Sequence, residues 1–179
     1  MNIFTSRHTA FSYYADYVVY LAAILTLSLC IRLYTPNQAL IETVLSIGGG
    51  LLCWSFIEYV MHRFLFHAIQ PFQRMHEDHH IHPKSLIATP TIISFTLIIV
   101  LVWLPATLIG GLWNGLGFTL GVTIGYFVYG IIHHAMHHWR LKNAWIKKRT
   151  RLHAIHHHSP HYNYGVTMSL WDYIFHRKN

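Results

Sequence analysis

Acidic side chains are scarce in this sequence: six Asp and Glu stand against 13 Lys and Arg in 179 residues, and only 11% of the chain is charged. A chain so short of charge and 53% hydrophobic cannot cover an ordinary water-soluble surface, which leaves a single membrane domain as the class. Cysteine is nearly missing too. Cys30 and Cys53 both fall inside apolar runs, which excludes a disulfide framework, thiolate zinc sites and iron–sulfur clusters. If the first two runs form a hairpin, Cys53 lies ~18 Å deeper than Cys30 at the helical rise, so no bridge joins them. No terminal histidine block marks a purification tag. No small-residue cleavage site follows the opening M-N-I-F-T-S-R-H, so the first apolar run is expected to be retained as a span. The basic excess would suit nucleic acid, but the basic residues flank apolar runs, the pattern of an integral membrane protein, and nucleic acid is excluded as a partner.

Four apolar runs are present, with spans expected at about 13–33, 40–61, 90–112 and 115–134, and a cap built from 62–89 and 135–179. Stretches of about twenty residues cross a ~30 Å hydrocarbon core. Tyr13, Tyr14, Tyr17 and Tyr20 are placed as an interfacial aromatic belt. Thr35-Pro36-Asn37 is a turn, with Asn37 as N-cap of the second helix and Glu42 in its first turns. Thr89-Pro90 opens the third run, Pro105 predicts a kink, and Gly110-Gly111 with Asn114-Gly115 predicts a tight turn. Gly117, Gly121 and Gly125, four residues apart, give the fourth run a smooth face for close helix packing. Four crossings put both termini on one side. On that side lie Arg7, Arg63, Arg74, Lys84, Arg140, Lys142, Lys147, Lys148, Arg149, Arg151, Arg177 and Lys178, with Arg32 alone opposite, which makes the shared side cytosolic.

What is abundant is histidine. There are 17, all but His8 lying between His62 and His176, in two polar passages that each follow an apolar run. Four groups emerge: His62 and His67 (H-x4-H), His76 with His79 and His80 (H-x2-H-H), His133 and His137 (H-x3-H), and His153 with His156 and His157 (H-x2-H-H). Residues three and four apart share a helix face, so each H-x2-H-H can send two imidazoles toward one region. Adjacent histidines diverge by about 100°, so His79 and His80, like His156 and His157, suit two neighbouring metals better than one. Ten imidazoles exceed what one tetrahedral or octahedral ion takes, and two ions sharing them is the economical solution. Imidazole suits Zn, Cu, Fe and Ni alike, so the ligand set leaves the metal open. Met61–Pro83 is expected to supply half of this centre and the chain from His133 onward the other half. Glu58, one turn before His62, is either a partner that orients His62 or an interfacial carboxylate solvated by headgroups. His82, His134, His138, His158 and His161 are expected as exposed or hydrogen-bonded histidines outside the centre. Trp171 and Asp172 are expected to pack and to cap.

The motifs H-R-F-L-F-H at His62–His67, H-E-D-H-H at His76–His80, H-H-A-M-H-H at His133–His138, L-H-A-I-H-H at Leu152–His157 and the tail N-Y-G-V-T-M-S-L-W-D-Y-I-F at Asn163–Phe175 resemble the fatty acid hydroxylase/sterol desaturase superfamily, most closely its sphingolipid fatty acid 2-hydroxylases. That resemblance implies an all-α integral membrane protein, four transmembrane helices under a cytosolic helical cap that holds a dinuclear metal centre. It implies two iron ions in the active enzyme, O2 as co-substrate, and zinc as an occupant in an isolated sample. The implied ligands are His62, His67, His76, His79, His80, His133, His137, His153, His156 and His157. It further implies a membrane lipid or fatty acyl substrate and, with no fused cytochrome b5 domain in this chain, a separate electron donor: cytochrome b5-like, a ferredoxin or a reductase.

A centre at the cytosolic ends of the spans would meet the first carbons of an acyl chain, which favours oxidation near the carboxyl or amide group. The basic segment Arg140–Arg151 anchors by charge, docks an acidic electron carrier or holds anionic headgroups. A desaturase or a sterol or carotenoid oxygenase could use the same histidines. From other classes, a histidine-rich metal transporter or a structural zinc protein remains. Transporters hold ligands near the bilayer midplane, where these spans carry almost no ionisable side chains.

Overall fold

The computed structural model describes residues 9–175; His8, Arg7, His176, Arg177 and Lys178 lie outside them. Every regular element among the described residues is helical. Helix α1 spans Ala10–Tyr34, α2 spans Leu40–Val60 and runs on as a π-helical turn over Met61–Phe66, α3 spans Phe72–Ile81, and α4 spans Thr91–Ile98. After a second π-helical segment at Ile99–Trp103 come α5 at Leu104–His138, α6 at Ala144–His158 and the short α7 at Leu170–Phe175. Three continuous helical segments are long and apolar enough to cross a membrane: Ala10–Tyr34, Asn37–Phe66 and Thr91–His138, of 25, 30 and 48 residues. They are apolar all round, with Val18, Leu25, Leu33, Ile41, Leu52 and Ile109 largely exposed on the protein's surface, as lipid-facing residues are.

The chain forms two compact units, Ala10–Trp54 with Thr89–Phe127, and Ser55–Ala88 with the described part of Val128–Asn179. In the first, α5 packs against α2 through the glycine row. A Cβ on Gly117 would sit 2.6 Å from the Thr43 carbonyl oxygen, and one on Gly121 would strike the Ile47 carbonyl and lie 2.8 Å from Leu51 N. One on Gly125 would enter the Trp54 ring. The packing role of that row is thus met by backbone at two of the three positions. Thr119 and Thr123 turn their hydroxyls back to the carbonyls four residues earlier, both at 2.7 Å, which satisfies polar groups that have no water to bond.

Helix α5 carries one residue outside helical geometry, Gly111 at φ 78° and ψ 173°, where a side chain would be strained. A Cβ on Gly115 would lie 2.7 Å from Thr107 Cα, whereas residues eight apart in a straight helix are ~12 Å apart. The chain therefore doubles back at Gly111, the tight turn expected from the glycine pairs, and α5 consists of two helical stretches joined there. The Pro105 kink takes the form of the π-helical turn just before it. A widened turn there accommodates a residue that lacks an N–H and crowds the carbonyl four positions earlier.

Two local expectations change. Tyr20 is not a belt residue: it is 1% exposed, donates to Ser94 Oγ at 2.8 Å and packs at a tilt against Tyr126, 4.5 Å between ring centroids. Tyr13 is buried as well, while Tyr14 stays half-exposed. Asn37 does not cap α2; it lies inside a 3-10 turn, Asn37–Ala39, preceded by Pro36 and without a side-chain cap bond. Cys30 and Cys53 are both free.

The second unit has a small apolar core of Met136, Ile146 and Val166, with Tyr129 and Ile132 against it. Helix α6 starts at Asn143, whose side chain accepts from the N–H groups of Trp145 at 2.8 Å and Ile146 at 3.3 Å, the usual N-cap arrangement. This cap and core set the direction of α6 and with it the placement of His153, His156 and His157.

Candidate metal centre

All four histidine groups meet in the second unit. Two clusters offer one nitrogen per residue, all within 4.8 Å of one another: His62, His67, His76, His80 and His156 in the first, and His79, His133, His137 and His153 in the second. Nine of the ten expected ligands are thereby brought together. The tenth, His157, belongs to neither by this measure. It lies between them, with Nε2 3.1 Å from His153 Nε2 and its ring stacked on His80 at 4.3 Å.

Local helix geometry explains who points where. Residues five apart diverge by about 140° on an α-helix, which would separate His62 from His67. The π-helical turn Met61–Phe66 bonds five residues ahead and brings them to one face, so their rings stack at 5.3 Å. On α3, His76 and His80 are one turn apart and join the first cluster, while His79, about 100° from His80, joins the second. On α6, His156 goes to the first cluster and His153 to the second. The early and the late stretch thus each contribute to both clusters, in keeping with the divergence of His79 from His80: α3 and α6 each carry histidines on two adjacent faces.

Within the first cluster, His76 Nε2 lies 3.0 Å from both His62 Nε2 and His80 Nε2, and His67 Nε2 lies 3.1 Å from His156 Nε2. Within the second, His133, His137 and His153 place their Nε2 atoms 2.9 to 3.3 Å apart. Two imidazole nitrogens sharing an ion at ~2.1 Å lie ~3.0 Å apart at a right angle and ~3.4 Å apart at a tetrahedral one, so the spacing fits shared metal ligation. Hydrogen bonding fits it too. His62 Nδ1 donates to the Tyr164 carbonyl at 2.5 Å and His156 Nδ1 to the Tyr162 carbonyl at 2.8 Å. Their protons sit on Nδ1, and both Nε2 lone pairs face the cluster, free to ligate a shared cation or to accept from a neighbouring imidazole N–H. In the second cluster, both nitrogens of His79 and Nδ1 of His153 are buried without a hydrogen-bond partner among the described residues.

Electrostatics keep the imidazoles neutral, the state that ligates. Burial, reinforced by neighbouring histidines, pushes His79 down to about 2. Burial likewise takes His156 to about 3 and His67 and His157 to about 4, with the charge of His80 adding to the shift in each. His76 and His153 are held well below the ordinary histidine range, first by burial. His80 is lowered by burial as well.

The bonds of Glu58 go to the main chain and hydroxyl of residues 166 and 167 and not to the His62 ring. Its carboxylate accepts from Val166 N at 2.7 Å, Thr167 N at 2.9 Å and the Thr167 hydroxyl at 2.5 Å. Tyr164 takes the orienting role through its carbonyl, a group with no sequence signature; the turn residues Asn163 and Gly165 beside it were the available signal. The bonds of Asp172 are not those of a helix cap: its two oxygens accept from Tyr164 N and Gly165 N in the loop before α7, both at 2.8 Å. Trp171 packs on Phe56 while its indole N–H donates to Ser55 Oγ at 3.1 Å. Outside the clusters, His82 pairs with Asp78 at 3.0 Å and His134 stacks on His138 at 4.3 Å.

Long apolar helices carrying two clusters made of imidazole alone define a membrane-class helical protein whose histidines could hold metal. Comparison with known proteins makes this specific: the model of the fatty acid hydroxylase family matches residues 47–177, and the chain belongs to that family. It is 31% identical over 150 residues to a dihydroceramide fatty acyl 2-hydroxylase of Arabidopsis thaliana, covering 73% of this chain and 59% of that protein. It is 30% identical over 144 residues to a fatty acid 2-hydroxylase of Mus musculus, covering 71% of this chain and 37% of that one. The matched stretch thus spans less than two thirds of the length of either relative, 59% of one and 37% of the other. A solved structure described as full-length scs7p, with only its hydroxylase domain visible, shares the fold at a TM-score of 0.80 and 21% identity, over 96% of this chain and 67% of that one.

Proposed function

We propose that the chain is an O2-dependent lipid hydroxylase that places a hydroxyl group on C2 of a fatty acyl chain. The observation that carries this is the pair of adjoining imidazole clusters in a chain of this family whose relatives are named as 2-hydroxylases. The first ion is assigned to His62, His67, His76, His80 and His156, the second to His79, His133, His137 and His153, with His157 beside the second as its further ligand. Iron is the metal of the active form, since zinc has no redox chemistry. When bound, the two irons supply the activation of O2 and the oxidation of an unactivated C–H bond.

The protein's own groups do the rest. His62 and His156 hold their protons at Nδ1 on main-chain carbonyls and keep Nε2 free for metal. Burial of His62, His79, His153 and His156 keeps these rings neutral and shields their ligating nitrogens from bulk water. The reaction takes two electrons from a donor.

The protein is read as crossing the bilayer four times, the hairpin at Gly111 making two crossings of the 48-residue segment, which at ~72 Å is over twice a hydrocarbon core. Both termini and the metal centre then face the cytosol, with residues 62–89 and 135–179 as the cap, in keeping with the basic residues.

Mass spectrometry of host lipids with and without the gene tests the reaction. A lipid species gaining one oxygen, lost in His79→Ala, is expected. A species losing two hydrogens would make the chain a desaturase, and metal uptake by vesicles dependent on His76 and His79 would make it a transporter.

A further inference from the structure

The first cluster is bounded by a strap, Tyr162–Thr167, which has no helix or strand of its own. Its carbonyls at Tyr162 and Tyr164 accept the Nδ1 protons of His156 and His62, the two most buried imidazoles, at 0% and 1% exposure. Main chain without secondary structure must find partners for its own N–H groups when buried. Here four consecutive ones do so on two carboxylates. Tyr164 N and Gly165 N donate to Asp172, one to each oxygen, both at 2.8 Å. Val166 N and Thr167 N donate to a single oxygen of Glu58.

Both carboxylates are buried, at 3% and 8% exposure. The guanidinium of Arg149, itself buried and bonded to Ser169, feels the charge of both. The backbone is shaped for this contact: Asn163 adopts a left-handed φ of 59°, and a Cβ on Gly165 would strike the Met168 carbonyl and lie 2.9 Å from Asp172 Oδ2. In the second cluster, by contrast, Nδ1 of His79 and of His153 finds no partner among the described residues.

We propose that Glu58 and Asp172 are positioning residues for the first metal alone: by clamping the strap they fix the ring orientation and tautomer of His62 and His156. The proposal rests on the two-metal reading above. Partners that orient an imidazole in this way alter metal affinity by about 10- to 100-fold when removed. The two carboxylates differ in how they tolerate an amide. An asparagine at 172 must turn an NH2 group toward an N–H donor, because each oxygen there takes one. A glutamine at 58 can keep its oxygen on both N–H groups and donate to the Thr167 hydroxyl.

The test is zinc(II) titration of the metal-free full-length chain in detergent, in competition with a chromophoric chelator. Wild type binds two ions; His156→Ala removes one and His137→Ala the other. Asp172→Asn and Glu58→Ala are expected to weaken one binding step by about 10- to 100-fold and Glu58→Gln by less. The loss persists in the His137→Ala background and vanishes in His156→Ala, because only coupled groups deviate from additivity. Equal weakening of both steps, no weakening of either, or a loss that survives His156→Ala overturns the proposal. Should Asp172→Asn or Glu58→Ala fail to fold, Thr167→Val removes the hydroxyl bond alone and must show a smaller loss of the same selectivity. A wild type that binds fewer than two ions would overturn the two-metal reading itself.

Discussion

Mild acid should unfold the metal-free protein, and three side chains suffice to set the scale. His79, His153 and His156 are buried at 5%, 4% and 0% exposure, with burial first among the causes that hold their imidazoles neutral, His79 down to about 2 and His156 to about 3. In the unfolded chain each titrates near 6.5. Between about pH 7.5 and 5.5 the unfolded state therefore binds protons that the native state refuses, and stability falls as pH falls. Integrated over that window each histidine costs about 1.4 kcal/mol, and the three together about 4 kcal/mol. For a chain of this size the loss lowers the melting temperature by roughly 8–16 °C. Tryptophan fluorescence during thermal unfolding in detergent, with chelator present, reads it directly. Saturating zinc should raise the melting temperature at neutral pH and lose its effect below about pH 6.5, where protons compete for the same nitrogens. A metal-free melting temperature that stays flat across the window would mean these imidazoles are solvated and free to protonate, and the description of the site would be wrong.

Gly121→Ala should destabilise by about 1–3 kcal/mol, since the new methyl meets the backbone of α2, while Gly48→Ala, with nothing within 4 Å, should be neutral or gain up to about 1 kcal/mol; thermal unfolding of the two variants side by side decides it. His134→Ala should leave two metal ions per chain and His137→Ala only one, because His134 stacks on His138 outside both clusters; elemental analysis of the purified variants measures this. Asn143→Ala should cost about 1 kcal/mol through the lost N-cap of α6, visible as a lower melting temperature.

Much of the site was legible in the sequence because metal chemistry and helix period leave marks there. The four groups of histidines, the pairing of residues one turn apart, the split between His79 and His80, and the packing role of Gly117, Gly121 and Gly125 all follow from spacing on a helix. Three features were not legible. The π-helical turn that unites His62 with His67 has no residue signature, since α and π turns differ by one hydrogen-bond step. The partner of Glu58 lies 108 residues away, so no local pattern could choose between His62 and the strap. Tyr20 reads as an interfacial tyrosine until its hydroxyl is seen on Ser94, 74 residues on.

The amino-acid sequence by itself determined the class of the protein, apolar helices with imidazole as the only abundant ligand, because composition and periodicity are properties of the chain. It also determined that neighbouring histidines point to two places, since adjacent residues on a helix must diverge. Only the tertiary structure decided which imidazoles gather in one cluster. Helices α3 and α6 each present histidines on two faces, and the second partner of every face is set by how distant segments pack. The same holds for the tautomers of His62 and His156, which depend on two main-chain carbonyls brought to them by the strap.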